Sequence, residues 1–179
     1  MPNWVTTDYL LFGNTNTLRE VGEKIKKGYY GNYQHIGKEF GNAEVDKEYD
    51  VRDTVEDCEL LEYSDEVMLQ ITTSTANSYS HGLIDFICAK YGLNYIFFSE
   101  NAADELYVTN DYKGRYFPDR YIVSQFNGEC WHVTYEQAVA DLIDRIGVKY
   151  LAWKVEDAVD DYNSKHTDDY VSFIEVKLV

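Results

Sequence analysis

Positive charge is scarce in this chain relative to negative. Sixteen Lys and Arg face 32 Asp and Glu, a formal net charge of -16 at pH 7. Nucleic-acid binding relies on cations that displace phosphate counterions, so direct nucleic-acid contact is not expected. The one basic cluster, Lys24, Lys26 and Lys27, suits the C-terminal end of a helix dipole. Long apolar runs are also missing. The opening MPNWVTTDYLLF has no basic segment, so neither a signal peptide nor a membrane span is expected. Cys58, Cys88 and Cys130 are an odd number without Cys-x-x-Cys spacing, which fits reduced thiols in a cytoplasmic protein. No Gly-x-Gly-x-x-Gly and no Gly-Lys-Ser/Thr occurs. That argues against a nucleotide cradle, and no cofactor is implied.

Large core side chains are plentiful: 17 Tyr, 8 Phe and 3 Trp in 179 residues. The length suits a single α+β domain, or two ferredoxin-like halves over 1–111 and 112–179. Val5 to Phe12 reads as a strand. Asn14 or Thr15 caps a helix to about Lys27, with Leu18, Val21 and Ile25 on one stripe. Residues 28–42 read as a loop or short irregular helices. Val67 to Thr73 alternates as a strand, and Thr73-Ser74-Thr75 reads as a turn. A helix from about Ser80 to Tyr91 stops at Gly92, where a left-handed cap is expected. Leu93 to Ser99 and Glu105 to Asn110 follow as strands. Asn127-Gly128 marks a hairpin between a strand around Tyr121 to Val123 and one over Glu129 to Val133. Thr134 and Gln137 form a capping box for a helix with Ala138, Leu142 and Ile146 on its buried stripe. A helix around Ala152 to Tyr162 and a strand over Tyr170 to Val176 end the pattern. This order predicts an α+β fold of ferredoxin-like type, its mostly antiparallel sheet carrying helices on one face.

Negative charge is concentrated. Residues 39–66 carry twelve carboxylates against Lys47 and Arg52, a net of -10. Such a block is either a solvated face, with a short helix or an edge strand in it, or a surface that meets a basic protein. Its candidate partner-binding residues are Glu44, Asp46, Glu48, Asp50, Asp53, Glu56, Asp57, Glu59, Glu62, Asp65 and Glu66. A second acidic patch contains Asp157, Asp160 and Asp161, with Asp157 and Asp161 four apart on one helix face. Between them, Tyr112 to Tyr121 mixes basic and aromatic residues. Arg115, Tyr116 and Arg120 are its candidate anchors.

The opening Met1-Pro2-Asn3-Trp4, the strand Tyr9-Leu10-Leu11-Phe12-Gly13, and the segments Gln70-Ile71-Thr72-Thr73 and Tyr95-Ile96-Phe97-Phe98 resemble those of the Api92-like family of phage and mobile-element proteins. That resemblance implies a ferredoxin-like fold and a phage or mobile-element source. It implies no chemistry and no functional residues.

No catalytic motif stands out. Cys130-x-His132 share a strand face but lack further ligands at recognisable spacing, so a packed Cys beside a surface His is the simpler reading. Asp104, Glu105 and Asp111 lack the calcium-loop pattern and read as turn carboxylates. The leading expectation is a non-enzymatic acidic interaction protein of phage or mobile-element origin. Its concrete form is a nucleic-acid-mimicking, anti-CRISPR-like inhibitor of a host nuclease complex, bound to a basic protein surface. The alternative is a small soluble structural domain with no catalytic role, its acidity serving solubility. A divalent-metal enzyme built on the Asp patches stands third.

Overall fold

The structure is a computed structural model that describes residues 3–28, 32–42, 52–63, 66–76, 78–125, 128–146 and 155–179. The chain divides into two compact units, Met1–Leu106 and Tyr107–Val179. It is an α+β fold with helices packed against sheet.

The first unit contains β1 (Trp4–Phe12), α1 (Thr15–Lys27), α2 (Tyr33–Glu39), β2 (Thr54–Tyr63), β3 (Glu66–Ala76), α3 (Gly82–Tyr91) and β4 (Asn94–Asn101). Asn14 caps α1, its side chain accepting from the Asn16 and Thr17 N–H groups. Leu18, Val21 and Ile25 are buried, so the apolar stripe read from the sequence is the face that packs. Asn32 caps α2 by accepting from the His35 N–H. Gly92 ends α3 in the left-handed region, φ 64°, which a residue with a Cβ adopts only at a cost.

Strands of this unit run antiparallel in the order β2-β3-β1-β4. The register places Thr7 between Thr73 and Ser99, and Tyr9 between Ile71 and Phe97. Val5, Thr7, Tyr9 and Leu11 are fully buried. They alternate with side chains on the opposite face, as strand geometry requires.

The second unit contains β5 (Leu106–Thr109), which begins at the division, then β6 (Tyr121–Gln125), β7 (Cys130–Val133), α4 (Tyr135–Ile146), α5 (Val155–Lys165), β8 (Val171–Glu175) and β9 (Lys177–Leu178). An antiparallel sheet β7-β6-β8 carries α4 and α5. Tyr121, Val123, Val133, Ala138, Leu142, Val159, Tyr162, Val171 and Phe173 form its core. Val108 and Thr109 pair in parallel with Lys177 and Leu178. The capping box is present: the Gln137 N–H donates to the Thr134 hydroxyl (3.3 Å) and the Thr134 N–H donates to Gln137 Oε1 (2.9 Å). Gly128, φ 84°, sits in the β6–β7 connection; Asn127 lies outside the described residues.

Three expectations need correction. Nine strands among the described residues exceed the simple ferredoxin-like sheet. Thr73-Ser74-Thr75 is not a turn, because β3 continues to Ala76 in register with Trp4. Pairing with β1 at all three residues and with β2 at Thr73 and Ser74 holds this backbone extended, and β-branched Thr suits that conformation. The acidic block is not one face. From Thr54 it is β2, an edge strand as one of the readings expected, paired along its length with β3 and bridged at Thr54 to Asn32, with a register shift between Val55 and Asp57 that leaves Glu56 bulged.

Candidate functional site

A groove of about 350 Å³ opens in the first unit between α1 and β2. Its apolar lining is Leu18, Gly22, Leu60 and Leu69; its charged lining is Arg19, Glu23 and Lys26, all from α1. Gly22 brings α1 close to β3, since a Cβ there would meet Leu69 Cδ1 at 3.1 Å. Leu60 faces Leu69 across the β2–β3 pair. Arg19 Nη2 lies 3.6 Å from Glu62 Oε1, with both side chains well exposed, so this pair contributes little to stability. Lys26 has no ion-pair partner among the described residues. Cys58 is buried on the same face of β2 as Leu60. Burial pushes its thiol up to about 12, with Lys26 opposing. A thiol held protonated is inert as a nucleophile or ligand.

A second constellation surrounds His81 at the start of α3. The Tyr9 hydroxyl lies 2.8 Å from His81 Nδ1 and 3.2 Å from the Ser80 carbonyl oxygen. The carbonyl can only accept. All three groups are satisfied when Nδ1–H donates to Tyr9 and Tyr9 donates to Ser80. Phe97 packs on the imidazole at 4.2 Å between centroids, Tyr79 at 5.1 Å and Tyr95 at 5.9 Å. Tyr95 donates to Asp85 Oδ1 at 2.7 Å. Burial raises the acidity threshold of the Tyr9 phenol far above its ordinary value, and burial with the Asp85 bond does the same for Tyr95. Burial lowers the His81 pKa, with the Asp85 carboxylate opposing.

This sets a pH response. The titratable groups facing His81 are Tyr9 from β1, Asp85 from α3, Tyr95 from β4 and Tyr79 from the loop before it. The unfolded imidazole takes a proton near pH 6.5, while the folded one resists until a lower pH. Stability is therefore fully present above that value and falls as pH drops through 6.5 toward the folded value. Urea midpoints measured at pH 7 and pH 5 are expected to differ more for the parent protein than for His81→Phe. Equal differences would remove His81 from the response.

Sequence reasoning did not single out Tyr9 or His81. The signal was Tyr79-x-His81 and Asp85 at a helix start beside the alternating Tyr95-x-Phe97. Gly22 inside an apolar stripe was the corresponding signal for the groove.

The expected site residues scatter. Glu44, Asp46, Glu48, Asp50 and Asp65 lie outside the described residues. Asp53 is buried, not a contact surface: its Oδ1 accepts from the Ala76 N–H at 3.1 Å and its carbonyl from the Tyr33 N–H at 2.7 Å. Asp57 and Glu59 alternate with Cys58 and Leu60, so they point to the face opposite Glu62. Thr54 donates to the bulged Glu56 at 2.6 Å. Glu66 opposes Tyr63 at the start of β3.

In the second unit, Asp157 and Asp160 are exposed on α5, and Asp161 pairs with Lys165 at 2.6 Å. Asp111 is buried and accepts from the Tyr116 and Phe117 N–H groups at 2.7 and 2.9 Å. Arg120 is turned inward, donating to the carbonyls of Phe117, Asp119 and Asp111. Arg115 lies over the Tyr116 ring at 5.1 Å. Cys130 is exposed rather than packed, because Trp131 and Val133 take the inner face of β7. His132 lies 3.8 Å from Asp119. Asp104 bonds Asn3 and Asn101, each at 2.8 Å. Among the described residues, no group of three or more His, Cys, Asp or Glu is placed to hold a metal ion, and no helix is long and apolar enough to cross a membrane.

No family model and no curated protein matches the chain. Among solved structures it is similar to one described as a putative glycine cleavage system transcriptional repressor, at 9% identity and a TM-score of 0.26, over 96% of this chain and 97% of that one. At that TM-score the likeness fixes neither fold nor function. Neither the family models nor the curated proteins return a phage protein or an inhibitor. The expectation of a phage-derived, nucleic-acid-mimicking inhibitor is corrected. A mimic needs carboxylates projecting together from one face, and here Asp53 is inside the fold while strand alternation sends Asp57 and Glu59 away from Glu62.

Proposed function

We propose that the chain is a non-catalytic binding protein whose first unit holds a small amphiphilic ligand between α1 and β2. The groove carries this reading: part-exposed Leu60 over the buried Leu18 and Leu69, beneath a rim of charged α1 side chains, an apolar lining with a few polar groups as in small-ligand sites. Supporting it, several buried ionisable groups among the described residues are committed internally. Asp53 and Asp111 accept backbone N–H groups, Tyr9 bonds His81, and burial holds the Cys58 and Cys88 thiols protonated, each pushed up to about 12. The first unit is read as ferredoxin-like, since its order β-α-β-β-α-β, with α2 an insertion, and its antiparallel strand order β4-β1-β3-β2 suit a split β-α-β arrangement.

The test is an amide chemical-shift titration of the ¹⁵N-labelled protein with octanol, a neutral amphiphile. Saturable shifts are expected at residues 18–26 and 58–61. They should be absent in Gly22→Phe, whose ring fills the groove, and weakened in Leu60→Ala, which covers the case that the larger side chain disturbs packing. No saturable shift with any amphiphile would overturn the reading.

A further inference from the structure

We infer that the groove selects a small apolar carboxylate, its hydrocarbon against the part-exposed Leu60 above the buried Leu18 and Leu69, and its carboxylate at Lys26. The inference rests on the groove being a ligand site and adds the class of ligand. Size is the first constraint. About 350 Å³ lies near the lower end of the roughly 300–1,000 Å³ typical of small-molecule pockets, which suits a short acyl or arylalkyl chain and not a macromolecular segment. The leucines and glycine of the lining carry no polar side-chain atom, so the ligand's body is apolar.

Charge is the second constraint. Arg19, Glu23 and Lys26 stand at i, i+4 and i+7, on one side of α1. The end cations lie about 10 Å apart along the axis. Arg19 is answered by Glu62 at 3.6 Å. Lys26 has no ion partner among the described residues, and the nearby Cys58 thiol is protonated and offers no negative charge. In a chain of net charge -16, a cation left open beside an apolar floor is the element that discriminates. An anionic head is accepted at Lys26, while Glu23 keeps it from the middle of the rim.

The experiment compares octanoate, octanol and octylamine by amide-shift titration of the full chain. Octanoate is expected to bind about fivefold tighter than octanol, the equivalent of an exposed ion pair, and that preference should shrink at high salt. Lys26→Gln should equalise the acid and the alcohol, and Lys26→Glu should reverse their order, with far-ultraviolet circular dichroism unchanged. Equal binding of octanoate and octanol by the parent protein overturns the carboxylate assignment while leaving the groove as a ligand site. Tighter octylamine binding overturns it in favour of Glu23 as the head-group contact. No shift with any of the three removes both the assignment and the site.

Discussion

Replacing Tyr9 by alanine is expected to destabilise the first unit by about 3–5 kcal/mol, the range for removing a large buried ring. Tyr9 is fully buried in the central strand of its sheet. Its ring meets His81 and Tyr95 at 5.7 Å each, both edge-on, so the cavity would open beneath several aromatic neighbours at once. Tyr9→Phe keeps the ring and removes only the hydroxyl. That leaves the Ser80 carbonyl and His81 Nδ1 without their shared partner, at about 1–2 kcal/mol. Urea unfolding followed through the amides of β1 and β4 separates the two costs. If the phenylalanine variant lost as much as alanine, the hydroxyl network and not ring packing would dominate.

Asp111→Ala is the corresponding experiment in the second unit, with an expected cost of about 3 kcal/mol. The carboxylate is buried and gathers the Tyr116 and Phe117 N–H groups, while Arg120 ties three carbonyls of the same loop. Alanine would strand those donors in a buried place. Asp111→Asn keeps an acceptor oxygen and should recover part of the loss, so equal costs for the two variants would argue against a charge-assisted role. Burial pushes the Asp111 carboxyl up, but the backbone N–H groups and the Arg120 guanidinium together outweigh it and hold its pKa below the ordinary value. The sign follows. Its contribution is present above the unfolded value near 3.9 and is lost as pH falls through the lower folded value. Hydrogen exchange of β6 and β8 amides, measured at neutral pH and below pH 4, reads both effects.

Asp111 also shows why residue type alone misleads. In the sequence it stands near Asp104 and Glu105 and invites comparison with a cation site. In the fold it closes a loop on backbone donors, and Gly114 makes room, since a Cβ there would fall 2.7 Å from Arg120 Nη2. Arg120 sits among aromatic residues and reads as an anchor for a partner, yet its guanidinium is spent on three carbonyls. The acidic stretch carries the densest charge in the chain, but alternation along β2, the bulge at Glu56 and the burial of Asp53 distribute it.

Features decided within a few residues were legible from sequence. Asn14 ahead of Leu18, Val21 and Ile25 sets α1; Gly92 stops α3 because a left-handed cap favours glycine; Thr134 and Gln137 close a capping box. Each depends on local backbone geometry and on donors one turn away. The tertiary structure alone decided what depends on register between distant segments. Pairing with Trp4 and Thr7 extended β3 through Thr73-Ser74-Thr75, where local composition suggested a turn. Tyr9 reaches His81, 72 residues away, only in the folded chain, and Leu18 and Leu60 line one groove where Gly22 lets the helix approach the sheet. Such meetings follow from long-range packing, whose free energy is summed over the whole core and leaves no mark in the spacing of neighbouring residues.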